Sequence, residues 1–199
     1  MQQTIVIATG NEHKRAEYAT LLAIPGLHCL SLRDLGIRAD APEDGTTFVA
    51  NALQKARYYA AKTGQMTIAD DSGISVIALN GAPGVLSARY GTADLDDTGR
   101  RRLLLDTVNE LDPADRSAAF TCVIAVVLPD GREYVCTGEC QGTIARSEAG
   151  NGGFGYDPIF WLPSRGCTIA ELSQDEKNAI SHRGQAVVQL KAILTELLG

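Results

Sequence analysis

The chain predicts a mixed α/β sheet with helices on both faces. Two observations carry that expectation. Short β-branched apolar runs alternate with helical patterns through the first hundred residues. Later, two alternating runs, Ala118 to Leu128 and Arg132 to Glu139, flank Pro129-Asp130-Gly131, which is a hairpin signal. The 199 residues suit one domain, 1–199, with room for a sizeable core.

In chain order, Thr4 to Thr9 reads as a buried strand and His13 to Ala23 as a helix stopped by Pro25-Gly26. Leu27 to Leu30 is a second strand, followed by turn chemistry at Pro42-Glu43-Asp44-Gly45. Thr46 or Thr47 caps a helix that runs to Thr63, with Gly64 at its end and Phe48, Ala52, Leu53, Ala56 and Ala60 on one face. Met66 to Asp70 is a short strand ending in Asp70-Asp71-Ser72-Gly73, and Ile74 to Leu79 is another. Asp94 to about Leu111 is helical, and Gly142 to Ala145 is a further strand. Ser173 with Glu176 makes a capping box, and Ser181 caps a last helix reaching about Leu198.

Composition excludes several classes. A net charge of −6 argues against broad binding to nucleic acid, which needs a basic face. No apolar run approaches the length of a membrane span, and Met1-Gln2-Gln3 lacks a signal-peptide pattern, so a cytoplasmic location is expected. The five cysteines are odd in number and form no C-x-x-C, so reduced thiols are expected. His28 has no evident partner and reads as structural or exposed.

Four segments carry chemistry. In Thr9-Gly10-Asn11-Glu12-His13-Lys14, Gly10 lets backbone approach a ligand, the following helix aims N–H groups at an anion, and Lys14 can reach a phosphate. The segment does not match the Walker A pattern; an ordinary strand-to-helix loop fits it as well. In Asp70-Asp71, adjacent strand residues point to opposite faces, so one carboxylate enters a given site, to hold Mg²⁺ or take a proton from water. Gly150-Asn151-Gly152-Gly153-Phe154-Gly155 formally fits G-x-G-x-x-G, but no helix follows, and Phe154 is instead offered for base stacking. Lys177 with Ser181-His182-Arg183 gathers anion or base-edge donors, or else a solvated helix cap.

Taken together, the stretches TGNEHK (9–14), PEDGTTF (42–48), IADDSG (68–73), GAPGVLSARY (81–90), GGFGYDPIF (152–160) and EKNAISHRGQA (176–186) resemble the non-standard purine NTP pyrophosphatases, also called inosine triphosphate or dITP/XTP pyrophosphatases. The resemblance implies an elongated mixed sheet flanked by helices, with two lobes and an active-site cleft between them, in a homodimer. It implies hydrolysis of a nucleoside triphosphate to monophosphate and pyrophosphate with Mg²⁺. Thr9, Gly10, Asn11 and Lys14 would hold the triphosphate, with Ser72 assisting. Glu43 and Asp71 would be metal ligands, with Asp71 also the proton acceptor. Phe154, Gly155, Tyr156, Asp157, His182 and Arg183 would form the base pocket, and Lys177 would be the second substrate lysine. A donor from Arg183 or the backbone near His182 would favour a 6-oxo purine over adenine. One departure is Ala50, where many relatives carry an acidic residue before the asparagine; it predicts a weaker hold on Mg²⁺. Hydrolysis of another nucleotide class, a nucleotide sensor without turnover and a dinucleotide oxidoreductase are the competing readings.

Overall fold

The computed structural model describes residues 3–110 and 116–198. Met1, Gln2 and the expected helix end at Leu111 lie outside the described residues. The strands are β1 (Gln3–Ile7), β2 (Leu27–Ser31), β3 (Met66–Val76), β4 (Ser117–Val127), β5 (Glu133–Ile144), β6 (Phe160–Leu162) and β7 (Cys167–Thr168). The helices are α1 (Glu12–Leu21), α2 (Phe48–Thr63), α3 (Asp97–Asn109), α4 (Gln174–Ile180) and α5 (His182–Leu198). The strands form one mixed sheet in the order β2-β1-β3-β4-β5-β6-β7. β1 runs parallel to both β2 and β3, with Ile5 opposite Cys29 and Met66. β6 runs antiparallel to β5 and β7.

The chain divides into two compact units. Unit 1 comprises residues 1–71, 122–138 and 183–199; unit 2 comprises 72–121 and 139–182. Two of the boundaries, Asp71/Ser72 and His182/Arg183, fall inside motifs singled out in the sequence.

Unit 1 is three-layered. One sheet face packs Ile5, Ile7, Ile68, Ile124 and Val126 against Tyr18 of α1, Leu22 at its C-cap, and Ala186, Val187, Leu190 and Leu194 of α5. The other packs Val6, Ala8, Ala69, Val123 and Ala125 against Ala52, Ala56, Tyr59 and Ala60 of α2. The strand period of two therefore sorts alternate residues to different helices. Unit 2 has its own core, in which Leu104, Leu105 and Val108 of α3 meet Phe120, Ile144, Ile159, Phe160 and Ile169.

The caps of α2 behave as expected. Thr47 Oγ accepts from Ala50 N at 3.1 Å, and Gly64 adopts φ 64°. Gly64→Ala should cost about 1 kcal/mol, because an L side chain is disfavoured in that left-handed conformation. Urea denaturation measures it, and an unchanged midpoint would contradict the cap assignment. Leu128 N donates to Arg132 O at 2.9 Å across the expected turn. Ser173 and Glu176 form the capping box. The five cysteines are free, with Cys122, Cys136 and Cys140 buried and Cys29 and Cys167 half-buried. His28 is exposed.

Two expectations are corrected. Asp70-Asp71-Ser72-Gly73 does not end a strand: β3 runs unbroken from Met66 to Val76, and Ile77–Leu79 is a 3₁₀ turn. Likewise the strand expected over Gly142 to Ala145 is not separate: Gly142 to Ile144 is the end of β5. In both places glycine marks close approach, not a break. A Cβ at Gly73 would strike Gly84 O and Ser87 Oγ, and one at Gly142 would strike Phe160 and the Trp161 carbonyl.

Candidate active site

In unit 1 the site begins with the turn after β1. Asn11 caps α1, its Oδ1 accepting from Lys14 N at 3.0 Å, while Asn11 N donates to Thr9 Oγ at 3.2 Å. One of the helix's first N–H groups is thus taken by the cap. Gly10 is exposed, and a Cβ there would meet nothing within 4 Å. Gly10→Ala should therefore leave stability unchanged. If the turn wraps a triphosphate, the same variant raises KM several-fold; unchanged steady-state kinetics would remove Gly10 from the site.

Asp70 and Asp71 divide as strand geometry requires. Asp70 lies on the side of α1 and α5, where Lys14 Nζ approaches it at 2.8 Å and Arg183 Nη2 at 3.4 Å. Arg183 Nη1 also donates to Glu17 at 2.6 Å. Burial alone would raise the Asp70 carboxyl, but Lys14, Arg183 and Lys55 outweigh it and hold it well below the usual carboxylate range. Asp71 lies on the side of α2, where Asn51 Nδ2 donates to its Oδ2 at 2.9 Å. Burial raises the Asp71 carboxyl, and the negative charge of Glu43 adds to that. The hydrogen bond from Asn51 and the charges of Lys55 and Lys14 oppose the rise without cancelling it.

Two further contacts complete this half. Lys55 forms an ion pair with Glu43 and donates to the Asp70 carbonyl at 3.0 Å. Gly45 N donates to Asn51 Oδ1 at 2.8 Å, tying the loop that carries Glu43 to α2. Asn51 and Lys55 are one helical turn apart. Sequence reasoning used Asn51 only as a landmark and missed Lys55 and Glu17. The available signal was two polar residues at i, i+4 beside the Ala52 and Ala56 stripe.

Unit 2 organises the glycine-rich loop around Asp157. Its buried carboxylate accepts from Phe154 N at 2.8 Å and pairs with Lys177 Nζ at 2.7 Å. Lys177 Nζ also lies 4.6 Å from the centroid of the Phe154 ring. A Cβ at Gly153, which has φ 68°, would collide with the Asp157 carboxylate. Gly155 O accepts from Arg101 at 3.0 Å, and Tyr156 OH donates to Ser87 O at 2.8 Å. His182 stacks on Phe120, with centroids 4.7 Å apart. Ser72 is half-buried on β3.

The expected residues thus gather as two groups. Thr9, Gly10, Asn11, Lys14, Glu43, Asp71 and Arg183 belong to unit 1; Ser72, Phe154, Gly155, Tyr156, Asp157, Lys177 and His182 belong to unit 2. Arg183, expected at a base edge, has its guanidinium buried on Glu17 and Asp70 beside Lys14. Asp157 and Lys177, expected to touch substrate, are buried on each other under Phe154.

A family model described as the Ham1 family matches residues 5–193. The chain is 48% identical over 197 residues to a dITP/XTP pyrophosphatase of Shigella flexneri, covering 98% of each chain. It is 47% identical to a protein of the same name from Escherichia coli K12, with the same coverage. Among solved structures, a HAM1 protein from Coxiella burnetii superposes with TM-score 0.90 at 45% identity, covering 98% of this chain and 99% of that one. The Staphylococcus aureus Ham1 protein gives 0.88 at 39% identity with the same coverage. The chain belongs to the Ham1 family.

Proposed function

We propose that this chain hydrolyses noncanonical purine nucleoside triphosphates (ITP, dITP and XTP) to the monophosphate and pyrophosphate, clearing them from the nucleotide pool. We place it in the cytoplasm as a homodimer, with residues 1–199 acting as one catalytic domain. The observation that carries the reading is the division of labour on β3. Asp70 is an anchor for Lys14 and Arg183 that stays charged across the neutral range, while Asp71, one residue on, is a carboxyl with raised proton affinity held by Asn51. An anionic triphosphate needs cations to bind, and its hydrolysis needs a proton acceptor. The pair supports both requirements, and the names of close relatives point the same way.

In this account the turn from Thr9 to Lys14, together with Ser72 and Lys177, holds the phosphate chain. Asp71 orients water and takes its proton as the water oxygen attacks the α-phosphorus. The bond from that phosphorus to the bridging oxygen breaks, and pyrophosphate leaves. Phe154, Gly155, Tyr156 and His182 select the base, while Asp157 holds the Phe154 loop and Arg183 holds Asp70 beside Lys14.

The donor chemistry fits Mg²⁺. That ion takes hard oxygen ligands, needs one or two carboxylates and keeps several waters. Glu43 and Asp71 supply two such carboxylates, set in place by Lys55 and Asn51, and their mutual repulsion is a cost that a cation relieves. Bound there, Mg²⁺ supplies positive charge against the triphosphate.

Incubation with ITP, dITP, XTP, GTP and ATP plus Mg²⁺, followed by phosphorus NMR, tests the reading. Monophosphate with pyrophosphate is expected from the first three. Orthophosphate with a diphosphate would overturn it, and binding without turnover would favour a sensor. Phe154→Ala should raise KM with kcat nearly retained, since stacking is worth about 1–3 kcal/mol per base; a pure kcat defect would contradict stacking.

A further inference from the structure

A cavity of about 460 Å³ in unit 2 is lined by none of the residues assigned above to substrate. Its floor is a cross-strand row. Thr143 of β5 pairs with Trp161 of β6, which pairs with Thr168 of β7, so the three side chains share one sheet face. Arg116 and Arg146 line the same cavity.

Arg116 is only 5% exposed. Its Nε donates to Ile144 O at 2.8 Å and its Nη1 to Val108 O at 3.1 Å, and Nη2 contacts Ala145 O. These acceptors are neutral carbonyls. They take three of five N–H donors and cancel none of the charge. Among the described residues none that lines the cavity is a carboxylate, and Glu171 is held by the lining Thr168, whose hydroxyl donates to it at 3.1 Å. Burial, with the like charge of Arg146 beside it, pushes the Arg116 pKa down, a penalty that a bound anion would relieve. Two guanidiniums, hydroxyls of Thr143 and Ser147, and one indole wall make a receptor for an anion that also has a planar part.

We propose that this cavity is a second anion site, taking a phosphoryl group on Arg116 and Arg146 with room for an attached ring against Trp161. The phosphoryl group can belong to a free phosphate or to a nucleotide. The two are distinguished by affinity, since only a nucleotide gains from the indole.

Trp161 is the single tryptophan of the chain, so its fluorescence reports on this cavity. The full-length protein is titrated with inorganic phosphate, pyrophosphate and inosine monophosphate, against sodium chloride of matched ionic strength. A saturable change with half-saturation below about 1 mM is expected for at least one phosphoryl compound. Lys14→Ala, which weakens the proposed triphosphate turn, should leave that curve unchanged. Arg146 is exposed, so Arg146→Glu should fold, as circular dichroism will check, and should weaken the response at least about tenfold. Arg146→Gln serves as a second variant. Tighter binding of the monophosphate than of phosphate assigns the site to nucleotides; equal binding assigns it to the free anion. No saturable change, the same curve with chloride, or full retention in both Arg146 variants overturns the proposal. Each of these outcomes stands apart from whether the chain hydrolyses triphosphates.

Discussion

Asp71→Asn is expected to lower turnover by about 10²–10⁴-fold, the range a positioned general base contributes, with modest loss of substrate binding. The amide keeps the shape and can still accept from Asn51, so the fold has no reason to change. The fold should even gain slightly. A carboxyl with a raised folded pKa binds its proton more tightly when folded. Its ionisation therefore costs stability as pH rises from about 3.9 through the raised value. Removing that cost at neutral pH raises Tm a little while activity collapses, the usual trade at a functional carboxylate. Unchanged turnover in Asp71→Asn would refute the role.

Asp70→Asn should do the reverse, unfolding the protein more than it alters the chemistry. Arg183 is 2% exposed at its side chain and Lys14 16%, and both lean on the Asp70 carboxylate. Removing one member of a buried charge cluster costs about 3–5 kcal/mol. The pH dependence has a definite sign. Asp70 has a depressed folded pKa, so its contribution is present above the unfolded value of about 3.9. It is lost as pH falls through the folded value. Urea midpoints of the two proteins should differ most near neutrality and converge in strong acid. Equal midpoints at pH 7 would contradict the anchor role.

Much of unit 1 was legible because its signals are local. Thr47 and Gly64 bracket α2, and its alanine stripe predicts the face that meets the sheet. The hairpin at Asp130-Gly131 and the box at Ser173 and Glu176 are likewise written within a few residues. Gly73 and Gly142 misled because a strand glycine reads as a stop. Their reason, a neighbour that leaves no space for a Cβ, lies elsewhere in the chain. The same limit applies to the site. The opposite facing of Asp70 and Asp71 follows from strand alternation alone. That Glu17 holds Arg183, or that Lys55 holds Glu43, requires residues distant in sequence to meet. The family resemblance supplied Glu43 as a metal ligand and Asp157 as part of the base pocket, and the structure supplies what each is bonded to. Asp157 turns out to be the post on which the Phe154 loop is built.

In the proposed reaction, water oriented by Asp71 attacks the α-phosphorus. Hydrolysis of ITP in oxygen-18 water, with products resolved by mass spectrometry, tests it directly. The heavy oxygen is expected in inosine monophosphate, with none in pyrophosphate. Label in pyrophosphate would place the attack on the β-phosphorus and contradict it.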